Sequence, residues 1–171
     1  MYRRGLLAGL LAFASIPAAA TPETPLVSWG GEYADDRSPG AMVIRDADDW
    51  TMLWRRMLRA NPPRPIPPGH VGLVIRLGPR RTGGYGLEIL DHASRECAYY
   101  VTYAEHAPGP GAFVTQAFTQ PWVIALIPAG EQPVVLEREE KDGSRRIVIP
   151  EQESRRLAQG GEACAGRLRQ P

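Results

Sequence analysis

From residue 42 onward, short apolar runs alternate with polar, turn-forming stretches. Met42-Val43-Ile44 predicts a short strand. Asp46 then offers a side-chain oxygen to cap a helix, and Asp48 and Asp49 suit the positive end of its dipole. Trp50, Leu53, Trp54, Met57 and Leu58 follow at i, i+3, i+4, i+7 and i+8, the apolar stripe of a helix packed on a sheet. Pro62, Pro63, Pro65, Pro67 and Pro68 end that helix and predict a stiff, extended connection. Residues 71–77 carry apolar side chains at every odd position, with Arg76 on the other face, which predicts a strand. Residues 83–90 and 97–104 predict two more strands. The unbroken apolar run at 122–127 predicts a central strand covered on both faces. Residues 133–139 and 145–149 flank Lys141-Asp142-Gly143-Ser144, a hairpin signal because Asp-Gly tolerates positive φ. A short helix is expected from Glu151. The pattern predicts an α+β, mainly β domain: an antiparallel sheet or β-sandwich-like unit with one amphipathic helix packed on it.

The first residues follow a different logic. Arg3 and Arg4 precede an uncharged apolar run at 5–16, and Ala18-Ala19-Ala20 supplies small residues for cleavage. The run falls short of the ~20 residues that a stable membrane anchor needs. Residues 1–20 are therefore expected to be a signal peptide, of the general secretory or the twin-arginine type, and the mature protein to be periplasmic or secreted. Residues 21–40 are read as a leader, 41–150 as the β-rich domain and 151–171 as a C-terminal tail. Export gives the two cysteines a meaning. Cys97 and Cys164 are the only pair available, and in an oxidising compartment they are expected to form a disulfide that tethers the tail. In the chain-entropy model such a bridge contributes ~4 kcal/mol.

Composition adds bounds rather than direction. The chain has 171 residues, 43% hydrophobic and 23% charged, as in an ordinary globular domain, and its formal net charge of +1 gives no nucleic-acid footprint. Catalytic constellations are thin. His70, His92 and His106 lack zinc-binding spacing, no serine lies in a G-x-S-x-G elbow, and Glu105 and His106 are strand neighbours that point to opposite faces. Glu137, Glu139 and Glu140 sit beside the hairpin turn and read as solvated surface. No catalytic residue, metal site or cofactor is expected.

Loops stand out more than ionisable groups. Thr82-Gly83-Gly84-Tyr85 joins two predicted strands, Gly109 and Gly111 lie in a rigid Pro-Gly turn, and Gln120-Pro121-Trp122 leads into the apolar strand. Paired glycines permit unusual backbone angles and close approach of another chain. These segments are either tight turns around a buried Tyr85 and Trp122 or a partner-binding surface.

The same residues carry a resemblance. Leu77-Gly78-x-x-x-Thr82-Gly83-Gly84-Tyr85, Val101-x-Tyr103-x-Glu105-x-x-Pro108-Gly109, Thr119-Gln120-Pro121-Trp122 and Ile127-Pro128 resemble the PrcB C-terminal domain family, as does the strand and helix at 44–54. The resemblance spans roughly residues 43–137. It implies an exported, β-rich, non-enzymatic module that binds and stabilises an envelope or secreted partner, a protease among them. It brings no catalytic residues. The Thr82–Tyr85, Gly109–Gly111 and Gln120–Trp122 segments are also similar to the three loops of chagasin-like cysteine-protease inhibitors, which implies an inhibitor as the alternative.

Overall fold

Ten elements follow one another in the computed structural model, which describes residues 26–95 and 97–159. They are β1 (Val27–Gly31), β2 (Gly40–Ile44), α1 (Ala47–Leu58), β3 (Val71–Arg76), β4 (Gly86–Arg95), β5 (Ala98–His106), β6 (Trp122–Ile127), β7 (Val134–Glu139), β8 (Arg145–Val148) and α2 (Glu151–Gln159). One four-stranded sheet has the order β1-β6-β3-β2 and is antiparallel throughout. The other has the order β4-β5-β7-β8, with β5 and β7 parallel between two antiparallel pairs. The mainly β, sandwich-like expectation holds. It needs amending in one respect, that one sheet is mixed, and the short helix expected from Glu151 is present as α2.

The sheets face each other across a core that takes Leu73, Ile75, Val123 and Ala125 from one side and Val101, Tyr103, Val134 and Leu136 from the other. Period-2 alternation sends these side chains inward, so the opposite faces need separate cover. α1 covers the first sheet. Asp46 caps it by accepting from the amides of Asp48 and Asp49 at 2.8 and 3.1 Å, and Arg59 closes it in the left-handed region at φ 53°. Its stripe buries Trp50, Trp54 and Met57 against Val74, Ile124 and Leu126. Trp29 of β1 and Trp122 of β6 join there, so all four tryptophans of the chain form one cluster. Their rings meet mostly edge to face, at centroid separations of 5.3 to 6.4 Å.

This cover also sets the burial of β3. All six of its residues are buried, because its even positions face α1. Gly72 lies against the Trp50 ring, Val74 sits in the second core, and Arg76 pairs with Asp36. Burial works against the Asp36 carboxylate. The Ser38 amide and the Arg76 guanidinium outweigh it and hold the carboxyl below its usual range.

Other boundaries also move. β1 lies inside the segment read as a leader, where it pairs with β6 through Val27–Leu126 to Gly31–Trp122. β4 begins at Gly86 rather than residue 83 and runs on to Arg95, with a register shift between Ile89 and Asp91. The β7–β8 hairpin turns through Gly143 at φ 80°, as its Asp-Gly signal predicts. α2 packs Leu157 on Ala98 and Val135. It is pinned by the buried Glu153 carboxylate, which accepts from the Val134 amide at 2.8 Å and from Arg45 at 3.0 Å. Cys97 is partly buried in the same small cluster. Its expected partner Cys164, the rest of the tail and the signal segment 1–20 lie outside the described residues.

A Cβ on Gly72 would stand 2.5 Å from a ring carbon of Trp50. Gly72→Ala is therefore expected to cost about 1–3 kcal/mol through overpacking, despite alanine's better fit to a strand. Urea unfolding should show a lower midpoint with an unchanged slope. An unchanged midpoint would mean that α1 and the sheet pack less tightly than described.

Candidate functional site

Strand register gathers three connections at one end of the sandwich. Gly31 pairs with Trp122, Trp122 with Arg76, and Arg76 with Gly40. In the second sheet Gly86 pairs with His106. The connections 32–39, 77–85 and 107–121 thus leave from the same edge of the fold.

Hydrogen bonds stitch them together. Arg80 and Thr119 exchange both backbone bonds, at 2.8 and 2.9 Å, as an isolated bridge. The Thr119 hydroxyl, fully buried, donates to the Thr82 carbonyl at 2.9 Å. The Gly83 amide donates to the Thr115 carbonyl at 2.8 Å. Glu32 ties the connection 32–39 to each of the other two: its carboxylate accepts from the Gly84 amide at 3.1 Å, and its carbonyl accepts from the Gln120 amide at 2.7 Å. Gly84 adopts φ +81°, and a Cβ there would lie 2.8 Å from Val114 Cγ1. The glycine pair thus permits both the turn and the close passage of 107–121. Arg80 donates to the Leu77 carbonyl and lies 5.6 Å from the Tyr85 ring centroid.

Of the residues read as partner-facing loops, Thr82, Gly83, Gly84, Tyr85, Gly109, Gly111 and Gln120 come to this end. Gly109 and Gly111 lie in the exposed turn at which Ala112 donates to the Gly109 carbonyl. Pro121 and Trp122 also come here but face inward. Trp122 is only 8% exposed, stacks edgewise on Trp54 and donates its indole N–H to the Tyr33 carbonyl at 2.8 Å. Burying the ring while satisfying its one donor makes it a joint of the scaffold, so it is not a contact surface. Pro121 is buried beside it and accepts from the Leu77 amide.

The exposed aromatic residues of this end were missed in the sequence. Phe113 is fully exposed, Phe118 is 69% exposed and Tyr33 57%. The connection 107–121 contains no charged residue. The nearby carboxylates are engaged internally: Asp35 with Arg59, Asp36 with Arg76, and Glu32 with the loop amides. Arg37 and Arg81 remain exposed on the flanking connections. The end therefore presents aromatic groups and cations, a composition favoured in protein interfaces.

Of the ionisable residues weighed as catalytic candidates, His70 and His92 share a pocket, while His106 and Glu105 lie apart from them. His92 Nδ1 lies 2.6 Å from the Tyr99 hydroxyl, His106 Nε2 lies 2.9 Å from Glu88, and Glu105 pairs with Arg138. Among the described residues no three His, Cys, Asp or Glu side chains form a metal-holding group.

The fold and this stitched end define a two-sheet, mainly β domain with three of its connections gathered at one pole. Residues 73–128, from β3 through β6, match the family model PrcB C-terminal. The match contains two of the three connections, 77–85 and 107–121, while the strand and helix at 44–54 lie outside it. Comparison with curated proteins and with solved structures returned no match.

Glu32→Ala removes the carboxylate that holds the Gly84 amide. The variant is expected to lose about 1 kcal/mol, as for a single hydrogen bond to a charged group on a partly exposed loop. Limited proteolysis should then cut within 107–121 faster than in the parent protein. Equal cleavage would show that the stitching does not depend on Glu32.

Proposed function

We propose that this protein is an exported, non-enzymatic binding module that recognises, and thereby stabilises, an envelope or secreted partner protein. The observation that carries this reading is the convergence of the three connections into one hydrogen-bonded pole that displays Phe113, Phe118 and Tyr33. Exposed aromatic anchors on a braced backbone are costly to keep in water and lose little entropy on docking, which is the economy of a binding hot spot. The PrcB C-terminal match supports the same direction, since that family takes its name from a protease-complex subunit. A protease is accordingly the first partner to test.

The inhibitor alternative would use Trp122 as a wedge in a protease cleft. With the Trp122 ring inside the α1 core, that wedge is not on offer. The aromatic groups at this end that a partner can reach are Tyr33, Phe113 and Phe118.

Affinity capture from the native envelope fraction after mild crosslinking tests the reading. It compares the parent protein with a Phe113→Ser/Phe118→Ser variant shown by circular dichroism to be folded. One dominant protein should be captured by the parent and reduced at least ~10-fold by the variant, as for loss of hot-spot residues. Equal capture by both would remove this pole from recognition.

A further inference from the structure

The pole opposite the stitched connections holds a small pocket of about 220 Å³. Val27 of β1, Leu126 of β6 and Pro128 contribute to its apolar wall, and its polar lining side chains are Arg64, His70 and His92, all basic. The neighbouring backbone is fixed. The Trp50 indole donates to the Arg64 carbonyl at 3.0 Å, which anchors the proline-rich connection beside the pocket.

Both imidazoles are held through the same nitrogen. His70 Nδ1 lies 3.1 Å from the Pro68 carbonyl, and His92 Nδ1 lies 2.6 Å from the Tyr99 hydroxyl, with the two rings stacked. A carbonyl only accepts, so the His70 proton sits on Nδ1 and Nε2 is the ring's remaining polar atom. Two imidazoles beside a guanidinium make a poor cation site. The same trio around an apolar wall suits an anion. The volume falls below the ~300 Å³ at which pockets for larger ligands begin, so the anion has a body of a few carbons.

We infer that this pocket binds a small organic carboxylate with a short apolar body, with Arg64 supplying the permanent charge and His70 and His92 supplying protons. Free short-chain acids and the C-terminal carboxylate of a peptide share that chemistry. Neutral His70 presents only an Nε2 lone pair, which a carboxylate avoids, whereas the protonated ring donates from both nitrogens. Binding therefore takes up a proton and weakens as pH rises. The groups that face these rings are Arg64 from the connection, the Tyr99 phenol from β5 and, at the His92 amide, the Asp91 carboxylate. β1 and β6 bring only apolar side chains to the pocket.

The inference is independent of the partner-binding reading, because it concerns the other pole. Its test is titration of the isotope-labelled protein with isovalerate, N-acetyl-leucine and the uncharged isovaleramide, followed by NMR at Val27, His92 and Leu126. Isovalerate should shift these resonances saturably and bind progressively more weakly as the pH is raised. His70→Gln and Arg64→Gln, both in the connection outside the core, should each weaken binding by roughly tenfold. N-acetyl-leucine binding as tightly as isovalerate or tighter supports the inference with a peptide terminus as the source, and weaker binding supports it with a free acid. No saturable shift up to about 50 mM, a concentration that would reveal even millimolar affinity, overturns it. Equal binding of isovaleramide overturns it too.

Discussion

The tryptophan cluster is the contact on which the rest of the molecule depends. Trp29, Trp50, Trp54 and Trp122 come from β1, α1 and β6, and their edge-to-face packing fixes the helix to the sheet. Removing one such side chain from a core typically costs about 3–5 kcal/mol, a large share of a small domain's stability. Two of the four indoles also reach outward. Trp50 donates to the Arg64 carbonyl and Trp122 to the Tyr33 carbonyl, so the same cluster that closes the second core tethers a connection at each pole. Gly72 is the concession that lets this happen, since a side chain there would occupy the place of the Trp50 ring.

From that anchor the two poles acquire different characters. At one pole the register of β1, β6, β3 and β2 aligns the ends of three connections, and Glu32 and Thr119 bind them into one surface. Its carboxylates are engaged internally, which leaves Tyr33, Phe113 and Phe118 displayed for contact. At the other pole the proline-rich connection closes over a small basic pocket. A rigid sandwich with loops on one end is a common way to present a binding surface, and here α1 stiffens the sheet to which all three connections attach.

Much of this was legible in the sequence, and the failures have physical causes. α1 could be read from its stripe and its Asp46 cap because both signals are local. β6 was legible because an unbroken apolar run implies cover on both faces. β3 was legible as a strand from its odd-numbered apolar positions, but nothing local reveals that α1 folds back over Gly72 and Val74 or that Asp36 pairs with Arg76. β1 was missed because Val27–Gly31 is short and glycine-rich, and only its pairing with β6 makes it a strand. At the candidate site the loop segments were legible from their glycines and from the PrcB C-terminal resemblance. Their convergence was not, because it follows from strand register. The placement of Trp122 stayed open between core and partner surface, and Phe113 and Phe118 were passed over, for one reason: composition cannot tell a buried aromatic residue from a displayed one beside a turn.

This pole is braced before any partner arrives. Native-state hydrogen exchange of the Gly83, Gly84, Thr119 and Gln120 amides tests it most directly, since each donates to a named acceptor across the connections. The account predicts that these four amides exchange at least ~100-fold more slowly than in an unstructured chain, as expected for bonds that open only by local unfolding. Exchange of all four at unstructured-chain rates would contradict it, and would mean that Phe113 and Phe118 ride on loops that find their shape only when bound.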